Sequence, residues 1–199
     1  MKNQSVKRIT ASVTALRERK RIFRTAALRN HNASDKIKEE YSAMDIRYSC
    51  NQRDFKRYTT EETRKEFLIE TLFTKDAVNA VYSHVDRMVT LGVMPVEEKV
   101  SIDKGIDIWH NFGTEYFLER RECGMFNVGG AGKVTVDENV YELGYKDCLY
   151  ITKGAKKVIF ESCDAQKPAK CYIVSAPEHC SYENRLTQIA DAAKKPLRA

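Results

Sequence analysis

Residues 128–147 read VGGAGKVTVDENVYELGYKD, and their glycines fit either a phosphate-binding loop or a corner between β-strands. A P-loop ends in Gly-Lys-[Ser/Thr], but Gly132 and Lys133 are followed by Val134. A dinucleotide-binding fingerprint needs a third glycine at the position of Thr135. The residues after the glycines alternate and are β-branched, which is typical of a strand. The sequence therefore predicts that these glycines serve chain packing and not phosphate binding.

Short runs rich in aromatic and β-branched residues recur on both sides of this stretch, at the intervals of about ten residues that characterise all-β domains. Polar turns separate them at residues 137–139 and 153–155, which are the predicted turns of two hairpins. A capping box, Thr59 followed by Glu62, predicts one short helix. The pattern predicts an all-β sandwich or barrel. Its strands are predicted at residues 67–73, 78–84, 87–93, 114–118, 133–136, 140–143, 147–151, 157–161 and 170–174.

The charge of the chain is unevenly distributed. The net charge is +6, but residues 1–44 hold 11 Lys or Arg against four Asp or Glu, while residues 45–199 hold 23 against 24. An Arg-rich, acid-poor segment suits a solvated helix, a nucleic-acid arm or an organelle-targeting segment. It also suits an extension upstream of a true start at Met44. We expect residues 1–43 to be a disordered or helical basic arm.

Composition and cysteine spacing bear on the compartment. The 199 residues are 42% hydrophobic and suffice for one core. No run approaches the roughly 18 apolar residues of a membrane span. The cysteines form no C-x-x-C pair and the chain begins with no apolar signal core, which favours a cytoplasmic protein without a zinc cluster. The six cysteines are Cys50, Cys123, Cys148, Cys163, Cys171 and Cys180.

Several aromatic side chains are expected to be buried. Trp109, the single tryptophan, follows two isoleucines and is predicted to plug a core or an interface. Tyr141, Tyr145 and Tyr150 stand among apolar residues and are expected to fill the barrel.

The run that begins at Gly130 is similar to the core of a cupin, a small double-sheet jelly roll. In that family a first motif, G-x5-H-x-H-x3or4-E-x6-G, and a second motif with one more histidine supply metal ligands. An H-x-H spacing places two imidazoles on one strand face, because side chains alternate. With the first motif's closing glycine at Gly130 and the second motif placed at residues 152–154, the four ligand positions hold side chains that cannot form an imidazole–carboxylate site. These are Phe117, Glu119, Cys123 and Lys157. The sequence predicts a degenerate, metal-free cupin.

Another pair of residues has metal-ligand spacing. His84 and Asp86 would share one face of a strand, but two ligands are only half of a metal site.

Longer segments closely resemble the front half of the 5-keto-4-deoxyuronate isomerase family, the 4-deoxy-L-threo-5-hexosulose-uronate ketol-isomerases. Family members carry two cupins in one chain, and the second holds a zinc ion through three histidines and a glutamate. The resemblance implies that residues 44–185 are the first cupin and that residues 186–199 are a truncated inter-domain segment. The segments are 44–49, 66–73, 81–95, 116–137, 141–162 and 168–179.

The resemblance also implies a function in pectin and uronate breakdown. The complete enzyme would isomerise 5-keto-4-deoxyuronate to 3-deoxy-D-glycero-2,5-hexodiulosonate as a homo-oligomer, with no nucleic-acid or membrane partner. This half would be structural, with no catalytic residue and no metal ligand, and inactive alone. A free-standing sugar-acid binding or regulatory cupin is the alternative. Nucleic-acid binding through the basic arm is a third possibility.

A uronate substrate carries a carboxylate, for which the guanidinium fork of arginine is well suited. Arg120 and Arg121 are the candidate substrate-binding residues of this half. The simpler alternative for both is a solvated or interface salt bridge.

Overall fold

A computed structural model describes residues 44–193 of the chain. The predicted basic arm at residues 1–43 and the last six residues of the chain lie outside this range. Within it, three short α-helices, one 3-10 helix (Ile189–Asp191) and eleven strands are formed. The helices are α1 (Gln52–Phe55), α2 (Thr60–Phe67) and α3 (Ile108–Phe112). The strands are β1 (Asp45–Arg47), β2 (Val78–Ser83), β3 (Met88–Val93), β4 (Val100–Ser101), β5 (Arg121–Asn127), β6 (Gly132–Val136), β7 (Asn139–Leu143), β8 (Cys148–Ile151), β9 (Val158–Ser162), β10 (Cys171–Pro177) and β11 (Arg185–Thr187).

The strands form two sheets around one core. A seven-stranded sheet has the order β1-β2-β3-β10-β5-β8-β11, and a four-stranded sheet has the order β4-β9-β6-β7. Every pair of neighbouring strands is antiparallel except β1 and β2, which run parallel. Leu91 and Met125 of the larger sheet belong to the same buried cluster as Val134 and Phe160 of the smaller one. The core therefore lies between the two sheets, as in a jelly roll.

The glycine-rich stretch forms a tightly packed corner between β5 and β6. A Cβ atom at Gly130 would lie 1.8 Å from the carbonyl oxygen of Lys167, and one at Gly132 would lie 2.6 Å from the Cβ of Ala169. Asn127, which is fully buried, donates from Nδ2 to the carbonyl of Gly130 at 2.7 Å. The glycines serve chain packing, as the sequence predicts.

Most of the predicted strands are confirmed. Six of them coincide with β2, β3, β6, β7, β8 and β9 within one or two residues, and β10 begins one residue after the predicted start. The turn at residues 137–139 joins β6 and β7 as a hairpin. The capping box is also confirmed, since Thr59 accepts from the Glu62 N–H and the Glu62 carboxylate accepts from the Thr59 N–H at 2.7 Å.

The predicted strand at residues 67–73 is wrong. Phe67 closes helix α2, and the segment after it runs without secondary structure over the outer face of the sheet. The Leu72 carbonyl accepts from Asn79 Nδ2 at 3.0 Å, and a Cβ at Gly92 would lie 2.1 Å from that same oxygen. Leu72 of this segment lies against β2 and β3 instead of extending a sheet, whereas Phe67 and Leu68 are exposed.

The predicted strand at residues 114–118 is also wrong, and the strand that follows was missed. Residues 114–118 form bends and turns that bury Phe117 and Leu118, whereas the strand is β5. Its inward positions include Arg121 and Asn127, which are both buried. Polar residues at both ends of the buried face hide the alternation that marks a strand.

Two further predictions, the second hairpin and the absence of strands after residue 185, are wrong. Residues 153–155 form a turn, but it connects β8 of the larger sheet to β9 of the smaller one and is not a hairpin. The final residues carry no strand pattern, yet β11 pairs with β8 and extends beyond the predicted domain boundary at residue 185. Helices α1 and α3 and strands β1 and β4 were likewise not predicted.

The aromatic predictions are partly wrong. Trp109 is 72% exposed on α3 and fills no core. Tyr145 is exposed, and Tyr150 lies on the outer face of the sheet, where its hydroxyl donates to Glu122. Tyr141 packs against the core. The buried positions near Tyr150 are its neighbours Leu149 and Ile151, because side chains alternate along β8.

Candidate functional site

The side chains at the cupin ligand positions do not converge on a metal. Phe117 and Cys123 are both 1% exposed within the core, whereas Lys157 is exposed. Glu119 folds back locally, and its carboxylate accepts from the Glu115 N–H at 2.7 Å. Burial raises the pKa of Cys123 to about 12, so this side chain is a neutral thiol. These four side chains do not fit a zinc ion.

The remaining candidate ligands do not form a metal site in the described part of the chain either. His84 is exposed and stacks on Tyr48 with 4.7 Å between ring centroids, and Tyr82 meets its edge. Asp86 is not brought together with further ligands. Among residues 44–193 no group of three or more His, Cys, Asp or Glu side chains could hold a metal ion.

Arg121 is the buried cation of the domain. It is 6% exposed and occupies the first inward position of β5. Its Nε donates to Ser175 Oγ at 3.1 Å, and its Nη2 donates to the carbonyls of Ser175 and Arg87 at 2.9 and 2.7 Å. All of these partners are neutral. None of the ion pairs found among residues 44–193 includes Arg121.

Two aromatic rings flank the Arg121 guanidinium. Its central carbon lies 5.4 Å from the centroid of Phe112 and 5.9 Å from that of Tyr82, which are cation–π distances. Burial lowers the pKa of Arg121 to about 10, and the nearby Arg87 acts in the same direction. The guanidinium therefore still carries its charge at neutral pH.

Helix α3 positions one wall of this environment. The Asp107 carboxylate caps it by accepting from the His110 N–H at 2.9 Å, and Gly113 ends it with a φ of 64°, in the left-handed region that favours glycine. The short helix holds Asn111 and Phe112 beside Arg121, and Phe112 in turn packs edge-on against Phe117 at 5.5 Å. Phe117, the core residue at a cupin ligand position, thus supports the Phe112 ring that contacts Arg121.

A cavity of about 200 Å³ opens beside the guanidinium, at the end of the larger sheet where β2 and β10 finish and β5 begins. Thr114 on its wall is 4% exposed, and its Oγ1 is buried without a hydrogen-bond partner. Its lining residues are Tyr82, Asn111, Phe112, Thr114, Arg120, Arg121 and Pro177.

The two candidate arginines, Arg120 and Arg121, lie in different environments. Both line the cavity, but Arg120 is largely exposed and lies 3.8 Å from Glu119, as a solvated ion pair would. Arg121 is buried without an acidic partner. Sequence reasoning missed Thr114, Tyr82 and Ser175. Only Ser175 had a signal, since it is a hydroxyl at an inward position of an apolar strand.

A larger groove of about 450 Å³ lies beside the glycine corner. Its polar side chains include Lys167 and Lys170, and none of the residues that line it is a buried ionisable side chain. The Arg121 cavity is therefore the better candidate site.

Two facing sheets, with a chain that crosses from one to the other after β8, define the domain as an all-β, cupin-type jelly roll. Solved cupins are only distantly alike. They include a cupin protein from Bacteroides fragilis (13% identity, TM-score 0.34, 55% of this chain and 79% of that one). Another is a cupin 2 domain-containing protein from Halorhodospira halophila (12% identity, TM-score 0.35, 58% and 72%). No family model matches the sequence.

Curated relatives are much closer in sequence. The chain is 46% identical over 154 residues to the 4-deoxy-L-threo-5-hexosulose-uronate ketol-isomerase of Pectobacterium carotovorum, covering 77% of this chain and 55% of that protein. The protein of the same name from Shouchella clausii is 45% identical, with 77% and 54% covered. Over this stretch the chain is similar to curated 4-deoxy-L-threo-5-hexosulose-uronate ketol-isomerases. It spans about half the length of the curated relatives it matches.

Proposed function

We propose that this chain contributes one half of a ketol-isomerase that converts 5-keto-4-deoxyuronate to 3-deoxy-D-glycero-2,5-hexodiulosonate. The observation that carries the proposal is the 43–46% identity to curated relatives named for a uronate ketol-isomerase. In this proposal the described domain is a structural half, and the reacting atoms are handled by residues outside it.

The chemistry of the site supports this division of labour. A ketol isomerisation moves a proton between adjacent carbons and needs a general base within reach of the substrate. Neither a carboxylate nor an imidazole is among the described residues that line the Arg121 cavity. The side chains at the cupin ligand positions do not fit a zinc ion either. We therefore assign any zinc ion of the complete enzyme, and its base, to residues beyond this domain.

An activity assay tests this assignment. The purified chain is incubated with 5-keto-4-deoxyuronate and zinc, alone and after co-expression with the second half of a curated relative. We expect no turnover alone and turnover in the co-expressed sample. Turnover by the chain alone, or stoichiometric zinc in elemental analysis of the pure chain, would overturn the assignment.

The second candidate is a free-standing sugar-acid binding or regulatory cupin. The buried, unpaired Arg121 favours it, since such a cation can hold an acidic ligand without any catalytic group. Stabilisation of the chain by a uronate, combined with no turnover in the co-expressed sample, would select this candidate.

We also propose a cytoplasmic protein that assembles into homo-oligomers in its complete form and binds neither nucleic acid nor membrane. All six cysteines are free thiols, as a reducing compartment favours. Within residues 44–193 the helices are too short and too polar to cross a bilayer. A DNA-binding titration tests the basic segment. Affinity that resides in a peptide of residues 1–44 and falls steeply with salt would establish the nucleic-acid alternative.

A further inference from the structure

We propose that the Arg121 cavity binds the carboxylate end of a small sugar acid, held between the Arg121 guanidinium and the Thr114 hydroxyl. The choice of a sugar acid rests on the proposed function, whereas the carboxylate site rests on the geometry of the cavity.

The first donor is the Nη1 group of Arg121. The hydrogen bonds of this side chain engage Nε and both hydrogens of Nη2, and they hold the guanidinium rigidly against β10 and the turn before β3. Nη1 donates to no group among the described residues. A guanidinium fixed on one side and free on the other is preorganised for an acceptor, because little rotamer freedom remains to be lost on binding.

The second donor is the Thr114 hydroxyl. An unpartnered buried hydroxyl costs roughly 1–3 kcal/mol of folding free energy, and buried polar groups in folded proteins are almost always paired. Thr114 Oγ1 has no partner in the described part of the chain, although Thr114 is 4% exposed and lines the same cavity as Arg121. An acceptor that enters the cavity would pair with Nη1, and because Thr114 Oγ1 is itself inaccessible to solvent, the Thr114 side chain turns to bring its hydroxyl to the same acceptor.

The charges around the cavity select an anion. Arg120 and Arg121 both line it, and Arg87 lies close enough to lower the pKa of Arg121. The ring of Tyr82 lies against the Arg121 guanidinium, with 5.9 Å between its centroid and the central carbon. Arg120 has the Glu119 carboxylate 3.8 Å away, but Arg121 has no acidic partner among residues 44–193, so a carboxylate would complete an otherwise unpaired buried guanidinium.

The size and lining of the cavity narrow the ligand class. A volume of about 200 Å³ is below the roughly 300–1,000 Å³ typical of sites that enclose a whole drug-sized ligand. Only one end of a ligand is therefore enclosed. The rings of Tyr82 and Phe112 and the amide of Asn111 stand beside the cation; the rings offer apolar surface, and the amide, whose Nδ2 already donates to the Asp107 carbonyl, offers its oxygen as an acceptor to a hydroxylated ring.

Isothermal titration calorimetry of the full chain tests the proposal, with D-galacturonate as the probe and D-galactose as its neutral counterpart. We expect galacturonate to bind and galactose to show no binding. Arg121→Lys and Thr114→Val should each weaken binding about tenfold or more, which is the usual effect of losing a hydrogen bond to a charged group. Arg53→Lys, on exposed helix α1, is the matched control and should leave affinity unchanged.

Thermal unfolding of the same variants separates binding from folding. Thr114→Val removes an unsatisfied buried hydroxyl at nearly constant volume, so the free protein should be as stable as the wild type or more stable, while its affinity falls. Unchanged affinity in Thr114→Val, equal binding of galactose, or no binding of galacturonate would each overturn the proposal. The activity assay of the co-expressed sample tests the proposed function separately. Turnover without galacturonate binding would refute this carboxylate site and leave the proposed function intact.

Discussion

Replacing Asn127 by alanine should unfold the glycine corner and cost the domain a large share of its stability. The side chain is fully buried, and its Nδ2 donates to the carbonyls of Gly130, Leu143 and Gly144 at 2.7, 3.2 and 3.1 Å. Its Oδ1 accepts from the N–H groups of Gly129 and Lys170 at 3.1 and 3.2 Å. One amide thus ties together the corner, the end of β7 and the start of β10.

The magnitude follows from these five contacts. Each net hydrogen bond is worth about 1 kcal/mol, and buried main-chain groups left unpaired cost more, so the expected loss in the free energy of unfolding is about 3–5 kcal/mol. Urea unfolding followed by tryptophan fluorescence and circular dichroism measures it. Asn79→Ala is the matched control, because its Nδ2 donates only two partly exposed bonds, and about 1 kcal/mol or less should be lost.

A second substitution checks the physical reason. Asn127→Asp keeps the size of the side chain. It replaces the Nδ2 amide group, which donates to three carbonyl oxygens, by a carboxylate oxygen that cannot donate when charged. We expect it to be at least as destabilising as the alanine variant, and increasingly so as pH rises, because the charged form is the one that burial disfavours. A loss below about 1 kcal/mol for Asn127→Ala, equal to that of the control, would refute the reasoning and assign the corner to glycine packing alone.

Three other outcomes are expected. Gly130→Ala should cost roughly 2 kcal/mol or more in urea unfolding, since its Cβ would strike the Lys167 carbonyl, while Gly124→Ala, which has open space, should be nearly neutral. Main-chain N–H groups of residues 96–98 lower the pKa of Asp76 below 3.8, so its contribution to the thermal midpoint should be present at neutral pH and lost as pH falls through that lowered pKa; Asp76→Asn should abolish this acid-dependent part. Iodoacetamide followed by mass spectrometry should modify two exposed cysteines in the native chain and two buried ones only after unfolding. The exposed pair is Cys163 and Cys180, and the buried pair is Cys123 and Cys171.

Local sequence signals predicted the elements that local physics determines. The hairpin at residues 137–139 follows from alternating β-branched residues on either side of a polar turn, and helix α2 follows from its capping box. The glycine corner could be separated from a phosphate loop because Val134 replaces the hydroxyl residue. These decisions depend on residues close together in the chain.

The failures come from contacts between distant residues. Strand β5 was missed because Arg121 and Asn127 look like surface residues until Ser175 of β10 and the carbonyls of β7 become their partners. The apolar segment after α2 was taken for a strand, but its backbone covers Gly92, twenty or so residues downstream. The candidate site needed the same kind of information, since nothing near Thr114 in the sequence marks its hydroxyl as buried and unpaired.

The position of β3 has a consequence for synthesis on the ribosome. Val93 pairs with Val78 on one side, in a hairpin that can form as soon as it emerges, but its other neighbour is Cys171. The ribosome adds about 5–20 residues per second, so this second edge of β3 stays unpaired for roughly 4–16 s, until β10 has been synthesised. For most of this wait, until β9 completes the smaller sheet, Val89, Leu91 and Val93 have no opposing sheet, so nascent chains stalled before β9 should be preferred clients of ribosome-associated chaperones.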